Sequence, residues 1–296
     1  MKWGALALGL LLFTGPTVAA AQPLYQVSLP FDGLLALGSG TVGLLLDREK
    51  FQWDGLSPCE GLARYPSAEE RLAFELMAEG EGLCDEMVVP AFDRWVLDQG
   101  FESARTLSDI GVSSMMLAPL VVGWADSAHR SDPWDRGAEA TLVSIQTFGL
   151  TILLASAVKV AWRRPRPLTF RADFDKEDRY AGDARLSFFS GHSAVSFASA
   201  SLVTVMLVER RGTGVGTILG ASGAYLGASL VAYLRIAARK HFLSDVLVGA
   251  AVGTLIGILV PLVHLSPDAP GPTSPGAAPL RPDPGYHPLV TWGGAF

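Results

Sequence analysis

Cysteine and histidine are scarce in this chain, with two of the first and five of the second among 296 residues. Cys59, in LSPCEG, and Cys84, in GLCDEM, have no histidine close by, so they do not make a zinc site. Charge is scarce too, at 18% of residues with a net value of -6, and the positive charge is not concentrated as nucleic-acid binders concentrate it, which removes nucleic acid as a partner. No internal repeat is visible, so a solenoid is excluded. Apolar residues are abundant: hydrophobic side chains make up 49% of the chain. Mean hydropathy is positive, the balance of a membrane protein.

The N-terminus reads as a secretory signal peptide over residues 1–21. Lys2 precedes the apolar run WGALALGLLLF, and the small-residue stretch VAAAQ follows. An uncleaved anchor is the alternative, although the apolar core is short for a span. Residues 22–108 read as an exported acidic segment with short amphipathic helices, and export would let Cys59 and Cys84 pair as a disulfide or remain two thiols. Four later runs approach the length a bilayer requires, near 140–161, 193–208, 215–234 and 242–263. A fifth near 111–125 is shorter, and GLLALGSGTVGLLL near 33–46 is doubtful. The sequence therefore predicts an all-α membrane bundle of five to six spans. Gly220, Gly223, Gly227 and Ala228 would permit close helix packing in lipid. Residues 265–296 are rich in proline and glycine and are assigned no regular structure.

Three segments carry chemistry. KVAWRRPRPL at 159–168 ends a helix at its prolines and gathers Lys159, Arg163, Arg164 and Arg166 at a membrane boundary. Taken alone these are either flanking charges that set topology or the start of an anion site. FFSGHSAVSFASA at 188–200 places Ser190 as the cap of a new helix, with Gly191 leaving the helix terminus open to an anion and His192 placed to donate a proton. LRIAARKHFLSDVLVG at 234–249 ends one apolar helix near Arg235 and opens another near His241. His241 and Asp245 are four apart and share a helical face, so the carboxylate can accept from one ring nitrogen and leave the other free. An ionisable pair at the start of a membrane helix is costly enough to expect a role.

As a set, Lys159 with six residues to Arg166-Pro167, Ser190-Gly191-His192, and Arg235 with five residues to His241 and three more to Asp245, resemble the three-part signature of the type 2 phosphatidic acid phosphatase superfamily. That superfamily includes membrane lipid phosphatases, soluble acid phosphatases and vanadium haloperoxidases. Phe189 and Leu234 depart from its pattern, standing where proline and serine are usual. Neither removes a reactive group, so altered loop geometry is the expected effect.

The resemblance implies a catalytic domain over 109–264 with its active site at helix ends. Lys159, Arg166, Ser190, Gly191 and Arg235 would bind phosphate, His241 would attack phosphorus oriented by Asp245, and His192 would protonate the leaving oxygen, with no metal and no cofactor. The implied substrate is a phosphorylated lipid or isoprenoid in the bilayer, a monoester or a diphosphate, split through a phosphohistidine. A vanadium haloperoxidase or a soluble periplasmic acid phosphatase shares the same residues. His129, His264 and His287 match no position of the signature and read as surface or interfacial. An outward-facing site in a bacterial-type inner membrane follows from a cleaved signal only if 33–46 does not cross.

Overall fold

The computed structural model describes residues 25–48, 84–101, 103–128 and 133–265; the segment 1–21, Cys59, His129, His287 and the tail beyond 265 lie outside the described residues. The architecture is an all-α membrane bundle. Its long helices are α1 (Leu29–Asp47), α2 (Ala104–Ser127), α3 (Pro133–Trp162), α5 (Gly191–Arg211), α6 (Val215–Ala237) and α7 (Leu243–His264), with the short α4 (Lys176–Tyr180) in the connection from α3 to α5. Five of them, α2, α3, α5, α6 and α7, are long and apolar enough to cross a membrane. At 1.5 Å per residue each is about 30 Å or longer, the thickness of the hydrocarbon layer. Their outer faces carry Ile110, Leu117 and Val121 on α2 and Ile218, Leu226 and Leu230 on α6, all exposed as a lipid-facing surface requires.

The centre of the bundle is set by three glycines. Gly249, Gly253 and Gly257 recur every four residues along one face of α7, and a Cβ at each would lie 2.6, 2.0 and 2.3 Å from the carbonyl oxygens of Ser190, Ala194 and Ala198 on or just before α5. Two backbones touch along this seam, where lipid supplies no hydrophobic drive and close packing must hold the helices. The glycines singled out from sequence lie on α6 instead. A Cβ at Gly223 would meet nothing within 4 Å, while Gly220 and Gly227 face only the side chains Leu207 and Met115.

Residues 33–46, doubtful as a span, belong to the 19-residue helix α1, which packs lengthwise on α3. Gly40 approaches Gly149, a Cβ on Gly43 would meet the Leu153 backbone at 2.8 Å, and Gln146 donates to Asp32. The residue numbers rise together, so the two helices are parallel. Asp32, in the first turn of α1, is buried yet satisfied: it accepts from the Ser28 N–H at 2.6 Å and pairs with His264 Nε2 at 3.1 Å. His264 is accordingly buried, not a surface or interfacial residue.

The direction of α1 has a topological consequence. Helices α1, α3 and α6 run toward the end that carries Lys159, Arg235 and His241, and α2, α5 and α7 run away from it. The start of α1 thus lies at the opposite end, where the Gln26 N–H donates to the His264 carbonyl. A chain exported before α1 and a signature end on the exterior exclude each other once α1 crosses.

In the described part of the acidic segment, two short 3-10 turns, Glu86–Val88 and Arg94–Asp98, stand where amphipathic helices were expected. They fold against the signature end through a cluster of Val89, Val96, Leu97, Phe170, Ile236 and Phe242. Cys84 is disulfide-bonded, and its sulfur lies 3.3 Å from Thr169 Oγ1.

Candidate active site

Each signature segment ends or begins a helix for a local reason. Helix α3 stops at Trp162 because Arg163 adopts the left-handed conformation, φ 50°, just ahead of Pro165. Helix α6 stops the same way: Arg239 has φ 50° and delivers Lys240 and His241 into a short link before α7. Between them, Ser190 caps α5 and its hydroxyl accepts from the Ser193 N–H at 3.3 Å. The Ser190 N–H donates to the Asp245 carbonyl, 3.0 Å, which ties the start of α5 to the first turn of α7.

These ends bring Lys159, Arg166, Gly191, His192, Arg235 and His241 into one electrostatic cluster, in which Arg166, Arg235, Lys159 and His192 all act on the buried His241. The Lys159 ammonium lies against Gly191, 3.3 Å from the position a Cβ there would take, so glycine makes room for the cation at the helix terminus. Arg166 pairs with Asp183 at 3.2 Å, and Arg235 Nη1 donates to Ser108 at 2.9 Å and to Asp109 at 3.2 Å. The Nε groups of both arginines are buried and have no acceptor among the described residues. Buried guanidinium N–H groups beside an ammonium are suited to hold an anion. Ser190, by contrast, is fully buried, and its oxygen is used as a helix cap.

The geometry around His241 differs from the reading of the sequence. Nδ1 lies 2.7 Å from the Ser187 carbonyl and 3.8 Å from Asp245 Oδ2. A carbonyl only accepts, so Nδ1 carries the hydrogen and Nε2 keeps its lone pair. Burial, and then the cations Arg166, Arg235 and Lys159, hold the ring's pKa well below the ordinary histidine value, which keeps that lone pair unprotonated. The tautomer is set by a backbone carbonyl, and the direct hydrogen bond expected from Asp245 is absent because that carboxylate is occupied elsewhere.

Asp245 is fully buried and accepts from the Phe242 N–H at 2.8 Å, the Ser187 hydroxyl at 2.5 Å and Arg164 Nη1 at 2.6 Å. Arg164 also reaches Asp93 at 2.9 Å, and Asp93 in turn accepts from the Ser244 N–H at 3.0 Å and its hydroxyl at 2.6 Å. Arg164 is therefore a tie between two buried carboxylates. Of the two Arg-Pro pairs in the first segment, only Arg166 joins the anion cluster. Phe189 and Leu234, the two departures from the signature, are buried packing residues: Phe189 fills a cluster with Ala155 and Ala194, and Leu234 one with Ala104 and Ala237.

Sequence reasoning missed Asp93, Ser108, Asp109 and Asp183, which lie outside the three segments, and Ser187, whose carbonyl faces His241 and whose hydroxyl donates to Asp245. Only their surroundings after folding mark them.

The family model of the PAP2 superfamily matches residues 140–266. A PA-phosphatase related-family protein of Dictyostelium discoideum is 31% identical over 127 residues, covering 41% of this chain and 47% of the relative, so the chain spans about half the length of the curated relative it matches. Among solved structures, the transmembrane PAP2-type phosphatidylglycerolphosphate phosphatase of Bacillus subtilis is similar at 20% identity and a TM-score of 0.40, covering 77% of this chain and 94% of that one.

Proposed function

We propose that this chain, whose residues 140–266 match the PAP2 superfamily model, hydrolyses a phosphate carried by a lipid or isoprenoid in the bilayer, without a metal and through a phosphohistidine at His241. The observation that carries this reading is the pair of orphaned, buried Nε groups on Arg166 and Arg235 beside His241.

The transferred phosphoryl group needs charge stabilisation on its equatorial oxygens and little else from the protein. Arg166, Arg235, Lys159 and the N-terminus of α5 at Gly191 supply it. Nε2 of His241 attacks phosphorus while the Ser187 carbonyl retains the Nδ1 hydrogen, and the bond to the leaving oxygen breaks as His192 gives that oxygen a proton. A water molecule then hydrolyses the phosphorus–nitrogen bond. An apolar cleft of about 320 Å³, lined by Phe92, Trp162, Phe188 and Phe242 next to Arg164, supports a substrate with a hydrocarbon chain.

The disulfide at Cys84 supports an oxidising compartment on the signature side, hence an outward-facing site in a bacterial-type inner membrane. In that orientation Arg210 and Arg211, at the end of α5, fall inside as flanking positive charge does, and the start of α1 falls inside as well.

Phosphate release by the purified protein from phosphatidylglycerol phosphate, phosphatidic acid and isoprenyl phosphates, with His241→Ala as the blank, tests the reading. Halide oxidation with vanadate in place of phosphate release would reverse it.

A further inference from the structure

Asp109 sits in the second turn of α2, outside the three signature segments, and one of its oxygens does two things. Oδ1 lies 2.8 Å from His192 Nε2 and 3.2 Å from Arg235 Nη1, and its side chain is 52% exposed where those of Arg166 and Arg235 are buried. An oxygen that touches both the proton donor and a phosphoryl-binding arginine stands where the leaving oxygen of a substrate must stand, since that atom is bonded to the phosphorus held by the arginine and takes its proton from the histidine. Resting on the reading above, we propose that Asp109 marks the leaving-oxygen position in the free enzyme and makes it selective for phosphate monoesters over diphosphates.

The step is balanced in either case. His241 Nε2 forms a bond to phosphorus, the phosphorus–oxygen bond breaks with its electron pair going to the oxygen, and His192 supplies one proton. The two substrates differ in what departs. From a monoester the protonated leaving group is a neutral alcohol, indifferent to a carboxylate beside it. From a diphosphate the leaving group is a lipid phosphate that stays anionic after taking the proton, next to the displaced but still charged Asp109. The carboxylate is half exposed, so it can turn toward water as the ester oxygen enters, and it remains a like charge beside that oxygen.

The charged groups that act on His192 are Asp109 from α2, Lys159 from α3 and Arg235 from α6, and Asp109 is the one carboxylate among them. Lys240, another buried cation near the cluster, is acted on by Arg166, Asp183, Arg105 and Asp178.

The test compares an isoprenyl monophosphate with the diphosphate of the same chain on purified wild type, Asp109→Asn and Asp109→Glu, together with vanadate inhibition of each as the check that the anion cluster is intact. Two like charges roughly 4 Å apart at a half-exposed site correspond to a discrimination on the order of tenfold or more. Wild type should favour the monophosphate by about that factor in kcat/KM. Asp109→Asn should gain on the diphosphate and narrow the ratio, and Asp109→Glu should keep it. Equal use of both substrates by wild type would overturn the proposal. So would parallel loss on both in Asp109→Asn with vanadate inhibition unchanged, which makes Asp109 a support and not a selector. Turnover of neither substrate by wild type would instead refute the phosphatase reading on which the proposal stands.

Discussion

The two ends of the helix bundle both bury charge, and they treat it differently. At the end where α5 finishes, Arg210 pairs with Asp126, and His264 pairs with Asp32; both carboxylates are themselves nearly buried. At the signature end, Lys159 and Lys240 have no ion pair among the described residues, and Arg166 and Arg235 lean on the more exposed Asp183 and Asp109; buried guanidinium nitrogens without an acceptor among the described residues occur at both ends, Nε of Arg166 and Arg235 here and Nε of Arg210 there, so what differs is the exposure of the partner carboxylates. Burying an uncompensated cation costs several kcal/mol, so a bundle holds several together only where a ligand completes them. Arg164 sharpens the contrast from within the same segment. It lies two residues from Arg166 yet is clamped by Asp93 and Asp245, both fully buried. Pairing separates the arginine that builds the site from the one that binds there.

The comparison breaks most visibly at the uncompensated end. Lys159→Met and Arg235→Met should each lower kcat/KM by about 10²–10³, the usual effect of removing one transition-state donor, and Lys159→Met should leave thermal stability unchanged or raised, because an ammonium with no ion pair among the described residues has gone. Asp126→Asn, which strips Arg210 of its buried partner, should destabilise the protein; if Lys159→Met loses as much stability while turnover survives, the two ends are alike and the distinction fails.

Next in size are the clamp residues. Asp93→Asn should destabilise the protein by about 3 kcal/mol, since Arg164 keeps its charge and loses a buried partner. Asp245→Asn should behave similarly. Because the Ser187 carbonyl sets the His241 tautomer, both variants should lose more in denaturation midpoint than in rate of an activated ester, and the opposite order would return Asp245 to the direct role read from the sequence.

Gly253→Ala tests the seam that joins the two histidine-bearing helices. Its new methyl meets the Ala194 carbonyl and should cost about 2 kcal/mol through overpacking. Gly223→Ala, facing open space, should be neutral or slightly stabilising.

The smallest effect is one of pH. Burial, followed by Arg166, lowers the Lys240 pKa to about 8. As pH rises through that value the ammonium is lost, so KM for an anionic substrate should rise a few-fold above pH 8, and Lys240→Met should abolish that rise. The sign for stability is the reverse: the unfolded lysine binds its proton up to its ordinary value, so folding is favoured progressively from about pH 8 upward. On the acid side, phosphoenzyme formation should persist below the ordinary histidine pKa, because His241 stays unprotonated there.

Much of this was legible in the sequence, and the reasons differ by residue. Lys159, Arg166, His192, Arg235 and His241 announce themselves because residue type and local spacing fix what each can do at a helix end. Arg164 was ambiguous, since RRPRP contains two Arg-Pro pairs and only the burial of Asp93 and Asp245 distinguishes them. Asp93 and Asp109 were invisible: each acts on a residue at least 70 positions away in the chain, a pairing that exists only after folding. The glycine seam was placed on the wrong helix because α6 and α7 are both rich in small residues, and period alone does not say which face meets a backbone. Residues 33–46 read as a doubtful span, and it is their glycines, with Asp32 just before them, that let α1 touch α3 and hold His264.

The central claim is that Nε2 of His241 becomes covalently bonded to phosphorus. Rapid acid-free quench of the enzyme with a phosphate-labelled isoprenyl or phosphatidyl substrate, followed by peptide mapping, measures this directly. The account predicts an acid-labile, base-stable label on the peptide containing His241, formed at least as fast as turnover and absent in His241→Ala. A label on His192, or undiminished turnover by His241→Ala, would contradict it.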